Sequence, residues 1–203
     1  MSAQPAPQQL FTIEEYLERE EKAAYKSEYY KGEIFPMVDD SHTFDSNGKT
    51  IVMAGGSMRH SNIGGNIYHA LRKRLTGTSC RPFNSDMQIH IPVEQLFTYP
   101  DISVICGKRD LFQDKALMNP RVIIEVLSDS TEGYDRGAKF RFYTKIASLQ
   151  EYVLVSQNER IVEVFRRNEQ QRWELFVFAE NENVELASVE CTLTMDEIYE
   201  DTE

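Results

Sequence analysis

The chain has 203 residues, 41% hydrophobic and 27% charged, the balance of an ordinary folded domain and not of a disordered chain. Lys and Arg total 22 against 33 Asp and Glu, a net charge of −11, which taken whole excludes a general polyanion binder. The excess is local: 14 acidic and 4 basic residues lie from Glu151 onward, leaving 19 and 18 before it, so the body is close to neutral.

Residues 1–9 predict a disordered tail, without the basic-then-apolar pattern of a secretory signal. Thr12 and Glu15 form a capping box that opens a helix running, on composition, to about Tyr30, with Gly32 as its breaker. Glu33 to Met37 reads as a short strand. Residues 39–50 are polar and turn-rich; Asn47-Gly48 carries a hairpin signal, and Thr50 to Ala54 is the partner strand. Gly55-Gly56 is a turn. Ser57 caps a second helix, with Ile63, Ile67, Leu71 and Leu75 spaced four apart on one face and Arg72, Lys73 and Arg74 on the other.

Met87, Ile89 and Ile91 alternate with Gln88 and His90 as in a half-buried strand. Tyr99 to Cys106 is a strand opened by Pro100. Val122 to Leu127 (VIIEVL) is a nearly continuous apolar run, a central strand buried on both faces. A third helix covers about 131–146. Strands follow at Glu151–Ser156, Ile161–Arg167 and Trp173–Phe178, and Thr194 with Glu197 marks a last short helix. The pattern is a mixed sheet flanked by helices, an α/β (α+β) domain. No apolar run approaches the roughly 20 residues that span a bilayer. Cys80, Cys106 and Cys191 lie far apart without a CxxC pair, as unpaired thiols of a reducing cytoplasm do.

Glu125 is the anomaly. A carboxylate in the middle of a buried strand costs several kcal/mol unless a bound cation or a buried Lys or Arg compensates it. Asp101 starts the other apolar strand. Two neighbouring strands presenting one carboxylate each toward the same edge form a hard-oxygen pocket suited to Mg²⁺ or Mn²⁺. Leu127 stands two residues after Glu125, and the nearest downstream lysine is Lys139, four residues after Asp135. Asp86 precedes an alternating strand and either approaches the cation or starts that strand. Arg59 and His60 open the second helix, whose N-terminus attracts phosphate. Arg136 shares the helix of Lys139 and borders the same cleft.

The ordered set Tyr30-Lys-Gly-Glu-Ile-Phe35, Met53-Ala-Gly-Gly-Ser57 with Arg59-His60, Asn84-Ser-Asp86, Tyr99-Pro-Asp101, Ile124-Glu-Val-Leu-Ser128, Asp135-Arg-Gly137 with Lys139, and Ser148-Leu-Gln-Glu-Tyr152 resembles the Uma2 family of restriction-endonuclease-like proteins, within the PD-(D/E)xK nuclease superfamily. The resemblance covers about residues 10–180, leaving 181–203 as an acidic segment packed on or trailing the domain. It implies a restriction-endonuclease-like core and a Mg²⁺- or Mn²⁺-dependent cut in DNA leaving 5′-phosphate and 3′-hydroxyl ends. Asp101 and Glu125 become the acidic pair, and the Val126 carbonyl a backbone ligand of the metal. Lys139 stands in for the lysine that Leu127 displaces. Glu28 matches an acidic residue that such nucleases carry on the first helix. Residues 38–52 depart from the family as an inserted polar hairpin. Nucleases of this architecture often pair two active sites, so a homodimer is expected. The missing lysine at position 127 and the acidic balance suit a second reading, a nuclease fold that binds or scaffolds without cutting. A hydrolase for another phosphorylated ligand is a third.

Overall fold

Thr12 accepts a hydrogen bond from the Glu15 amide while Glu15 reaches back to the Thr12 amide, and this box starts helix α1 (Ile13–Lys22). The computed structural model describes residues 9–37, 42–44, 50–52 and 57–202. The helix ends earlier than its composition suggests. Ser27–Tyr30 is strand β1, paired antiparallel with β2 (Glu33–Pro36). Lys31 (φ 49°) and Gly32 (φ 98°) form a tight turn with two positive φ angles, the geometry that matches strand twist in a two-residue hairpin. Gly32 is therefore a hairpin residue and not a helix stop; across the junction Tyr16 stacks on Tyr29, and Phe97 packs against both at steeper angles. Thr50–Val52 (β4) pairs with His42–Phe44 (β3), not with Glu33–Pro36. Asn47-Gly48 and Met53–Gly56 lie outside the described residues, as does most of the N-terminal tail.

Ser57 caps helix α2 (Met58–Arg74), accepting from the His60 amide, and its hydroxyl also bonds Gln157 at 2.8 Å. Then come β5 (Cys80–Asn84), β6 (Ile89–Ile91), β7 (Leu96–Thr98), β8 (Ile102–Cys106), β9 (Leu111–Phe112), β10 (Ala116–Leu117) and β11 (Val122–Leu127). A helical stretch follows, α3 (Glu132–Tyr134) and α4 (Phe140–Tyr143), joined through a π turn at Asp135–Lys139. The last elements are β12 (Glu151–Ser156), β13 (Val162–Arg167), β14 (Trp173–Phe178), β15 (Asn183–Leu186), β16 (Cys191–Thr194) and α5 (Met195–Ile198).

Two six-stranded sheets result, in the orders β2-β1-β7-β6-β10-β9 and β14-β13-β12-β11-β8-β5. β11 runs parallel to β12 and antiparallel to β8, and all six of its residues are buried, as a strand covered on both faces requires. The period of two divides it cleanly. Val122, Ile124 and Val126 pack toward α2 with Val153 and Val164. Ile123 and Leu127 pack the other way with Tyr143, Leu149 and Tyr152. Glu125, lying between those two, faces the helical stretch.

The segment after residue 180 is part of the core. Val184, Leu186, Leu193, Met195 and Ile198 join α2 and β11 in one cluster. Asn66 holds the carbonyls of Ile198 and Glu200, and Arg74 meets Glu197 at 2.6 Å. Cys80 and Cys106 stand directly opposite on β5 and β8 and form a disulfide, which corrects the reading of three unpaired thiols. Their proximity is a matter of strand register between residues 26 apart, which spacing along the chain does not reveal. Cys191 is free and buried. Among the described residues no helix is long and apolar enough to cross a membrane.

Glu151 ties the C-terminal hairpin to β12. Fully buried, it accepts from Arg166 Nε (2.8 Å), Ser188 Oγ (2.6 Å) and the amides of Ala187 and Ser188. Removing one member of such a network leaves the others buried without partners. Glu151→Ala is expected to lower stability by about 3 kcal/mol or more, read from the urea midpoint at unchanged slope.

Candidate active site

The ladder between β8 and β11 stops at the pair Ile102–Ile124. Beyond it the backbone of Val126 has no strand partner on that side, and the two acidic side chains take over the pairing. Asp101 Oδ2 accepts the Val126 amide at 2.8 Å, and Glu125 Oε2 accepts the Asp101 amide at 3.2 Å. Each carboxylate thus holds the backbone beside the other, as buried or half-buried amides require.

The other Glu125 oxygen turns to the helical stretch. Oε1 accepts from Lys139 Nζ at 3.0 Å and from Tyr143 Oη at 2.9 Å. Spacing aims these groups. Asp135, Lys139 and Tyr143 lie four apart on the helical face above β11, and the π turn spans the first of the two intervals. Lys139 Nζ is also 3.3 Å from Asp135 Oδ1, at ion-pair distance without hydrogen-bond geometry. The ion pair with Glu125 and the helical pair with Asp135 therefore coexist. Lys139 is 8% exposed, and Glu125 and Asp135 are each 3% exposed.

Glu28 completes the inner cluster, though from β1 and not from the first helix. It is buried, accepts from the Thr98 hydroxyl, and accepts from Tyr134 Oη at 3.2 Å. Its charge reaches Lys139. Three carboxylates, Glu28, Glu125 and Asp135, thus surround one ammonium, two negative charges in excess. Burial pushes the Glu125 carboxyl up to about 8, and Lys139 only partly pulls it back. Burial opposes the Lys139 charge, but Glu125 and Asp135 outweigh it and hold the ammonium well above its usual range.

On the open side of this cluster, Asp101 and His60 are about a quarter and a fifth exposed. His60 Nε2 is 3.3 Å from Asp101 Oδ2, and the imidazole also bonds the Val126 carbonyl. Burial lowers the His60 pKa, and these two acceptors more than reverse it, for a net rise. Arg59 is adjacent in the chain, with its Nε buried and unpartnered. The remaining candidates lie apart. Asp86 is exposed and bound to Lys26 (2.7 Å) and Asn84 (3.0 Å). Arg136 is taken up by Glu132 (2.7 Å) and Glu163 (2.5 Å), which leaves its charge compensated by protein.

The donor chemistry fits a hard divalent cation. Excess buried negative charge is relieved by either a proton on Glu125 or a cation beside it. Asp101, Glu125 and the Val126 carbonyl are oxygens of the type Mg²⁺ and Mn²⁺ take, with water filling the other positions. Among the described residues no three His, Cys, Asp or Glu side chains are already set around one point. Tyr143, Tyr134 and Thr98 were not singled out by sequence; only the spacing of Tyr143 four residues after Lys139 pointed to it.

A family model described as "Uma2: Putative restriction endonuclease" matches residues 38–196. Two Synechocystis sp. proteins are similar along nearly their whole length. Uncharacterized protein slr1290 is 34% identical over 194 residues, 96% of this chain and 94% of its own. Uncharacterized protein sll1609 is 34% identical over 186 residues, 90% of this chain and 96% of its own. A crystal structure described as "a putative nuclease belonging to DUF820 from Anabaena variabilis ATCC 29413" superposes with a TM-score of 0.66 at 21% identity, covering 93% of this chain and 97% of that one. The two chains share a fold.

The raised Glu125 pKa has a sign for stability. Its contribution is complete below the unfolded value of 4.5 and is lost as pH rises toward about 8, because the folded state then holds a proton the unfolded chain has released. In Glu125→Gln this loss disappears. Urea titrations at about pH 5 and pH 8 are expected to show a smaller fall in stability for Glu125→Gln than for the unaltered chain.

Proposed function

The chain belongs to the Uma2 family, and from that premise we propose that it is a metal-dependent endonuclease that hydrolyses DNA phosphodiester bonds. The observation that carries the reading is the 3.0 Å contact between Lys139 and Glu125. A lysine from the following helix reaches the acidic residue of β11, although Leu127 occupies the place where the superfamily resemblance expects that lysine. Asp101, Glu125 and the Val126 carbonyl would hold Mg²⁺ or Mn²⁺. When bound, such an ion supplies a more acidic water and neutralises charge on a phosphate oxygen.

The chain's own residues do the rest. Lys139 keeps its proton at neutral pH, so it acts as a fixed charge and hydrogen-bond donor, not as a base. It orients Glu125 and, through it, the acidic edge where the attacking water is held. Tyr143 fixes the same carboxylate from the second donor position. Asp101, partly exposed, is the acidic group that faces incoming substrate. Arg59, next to His60 at the start of α2, is the candidate positive group for phosphate; its Nε is buried without a hydrogen-bond partner. The near-neutral body predicts weak, metal-dependent binding of DNA and not a tight nonspecific grip. Two copies acting together suit the edge strand β14, where Leu175, Phe176 and Val177 are exposed.

A cleavage assay on supercoiled plasmid and single-stranded DNA, with Mg²⁺ or Mn²⁺, tests this. Asp101→Ala, Glu125→Ala and Lys139→Ala are each expected to lose at least about 100-fold in rate. Activity that survives Glu125→Ala would sink the mechanism. Inactivity of every form favours a nuclease fold used as a binding or scaffold module, a reading that the net charge of −11 and the burial of Lys139 also favour.

A further inference from the structure

His60 is not aimed outward at an incoming phosphate. Its ring is turned inward, with Nε2 3.3 Å from Asp101 Oδ2 and a contact to the Val126 carbonyl. Both neighbours are electron-rich oxygens. A phosphate-binding histidine points its N–H groups to solvent, and this one points to the very atoms assigned above as metal oxygens. Its position is set by backbone. Ser57 caps the helix on the His60 amide and is itself tied to Gln157, so the ring is delivered to this spot by the start of α2.

The spacing is informative. A neutral or charged N–H···O bond is usually about 2.7–3.2 Å long, so 3.3 Å is loose for a dedicated hydrogen bond. Two donors held at right angles about 2.1 Å from one cation lie about 3.0 Å apart. Asp101 Oδ2 and His60 Nε2 therefore have nearly the separation of adjacent ligands. The Val126 carbonyl, released by the end of the β8 ladder, supplies a third atom on the same side. Glu125 is committed more deeply, to Lys139, Tyr143 and the Asp101 amide.

We propose that His60 is a further ligand of the catalytic cation, beside the Asp101 and Glu125 carboxylates and the Val126 carbonyl, and that this nitrogen biases the site toward Mn²⁺ and the later divalent metals over Mg²⁺. The proposal rests on the metal-dependent reading above. Its chemistry is that of a mixed donor set: oxygens alone suit Mg²⁺, whereas imidazole raises affinity along the first-row series and adds little for Mg²⁺. His60 is then a metal-selecting residue, and Glu125, held by Lys139 and Tyr143, is the deeper carboxylate of the same set.

The test is binding and spectroscopy on the full chain, with Mn²⁺ and Mg²⁺ as probes. Calorimetry gives both affinities for the unaltered protein, His60→Ala, His60→Gln and Asp101→Ala. Pulsed electron paramagnetic resonance of bound Mn²⁺ reports a directly bonded nitrogen without any substitution. The expected result is a nitrogen coupling in the unaltered chain that vanishes in both His60 variants, with Mn²⁺ weakened by about 10-fold or more and Mg²⁺ much less. Absence of that coupling in the unaltered chain, or Mn²⁺ affinity in His60→Ala equal to or tighter than in the unaltered chain, overturns the ligand role; tighter binding would mark the ring as an obstacle to the ion. If those results accompany a clear loss of binding in Asp101→Ala, the metal site stands and only His60 is misassigned. If the unaltered chain binds neither ion, or Asp101→Ala binds as well as it does, the metal-dependent reading fails and His60 with it.

Discussion

A carboxylate inside the central strand governs this structure. Glu125 has apolar neighbours before and after it on β11 and sits under a helix, so every charge-stabilising contact must be brought to it. Lys139, Tyr143 and the Asp101 amide do so, from two elements. None of these contacts is local in the chain, and together they fix how the helical stretch and the start of β8 lie on the sheet. The surrounding fold reads as the support for that arrangement: α2 and the C-terminal hairpin cover one face of the sheet, and the helical stretch covers the other.

The compensation is incomplete, and that is where stability and chemistry meet. Lys139 carries one charge against Glu125, Asp135 and Glu28. A fully balanced ion cluster would be inert, whereas an acidic surplus at the end of a strand ladder holds an affinity for protons and cations in reserve. The partly exposed pair Asp101 and His60 opens this surplus to solvent. The acidic C-terminal segment contributes nothing to it. Its charges lie on the outside, and its apolar residues face α2.

Much of this was legible in the residues. VIIEVL identified the central strand and its misfit charge, and Pro100-Asp101 identified the partner strand. The helix carrying Lys139 was expected in place, but its π turn was not, because a surplus residue leaves no compositional mark beyond Gly137. Glu28 was picked out on the wrong element. Gly32 stops a helix and makes a hairpin turn equally well, and only the packing of Tyr29 against Tyr16 and Phe97 decides between them. The Cys80–Cys106 pair and the networks of Glu151 depend on register across strands, which patterning within a strand cannot express. The strands of the C-terminal hairpin are four residues each, too short for their alternation to stand out against the acidic background.

The π turn makes the position of Lys139 a question of length. One residue of an α-helix subtends about 100°, so deleting a single residue within Asp135–Lys139 would restore the regular helix and rotate everything on one side of the deletion by that angle relative to the other. The Tyr134 bond to Glu28 on one side of the deletion and the Lys139 and Tyr143 bonds to Glu125 on the other could then no longer be made together. A relative that keeps an Asp, a Lys and a Tyr in order but shortens this stretch has lost the constellation while appearing intact in composition. One that moves the lysine by a turn and adjusts the length has kept it. The quantity to compare across such chains is the count of residues from the glutamate strand to the lysine, together with its identity.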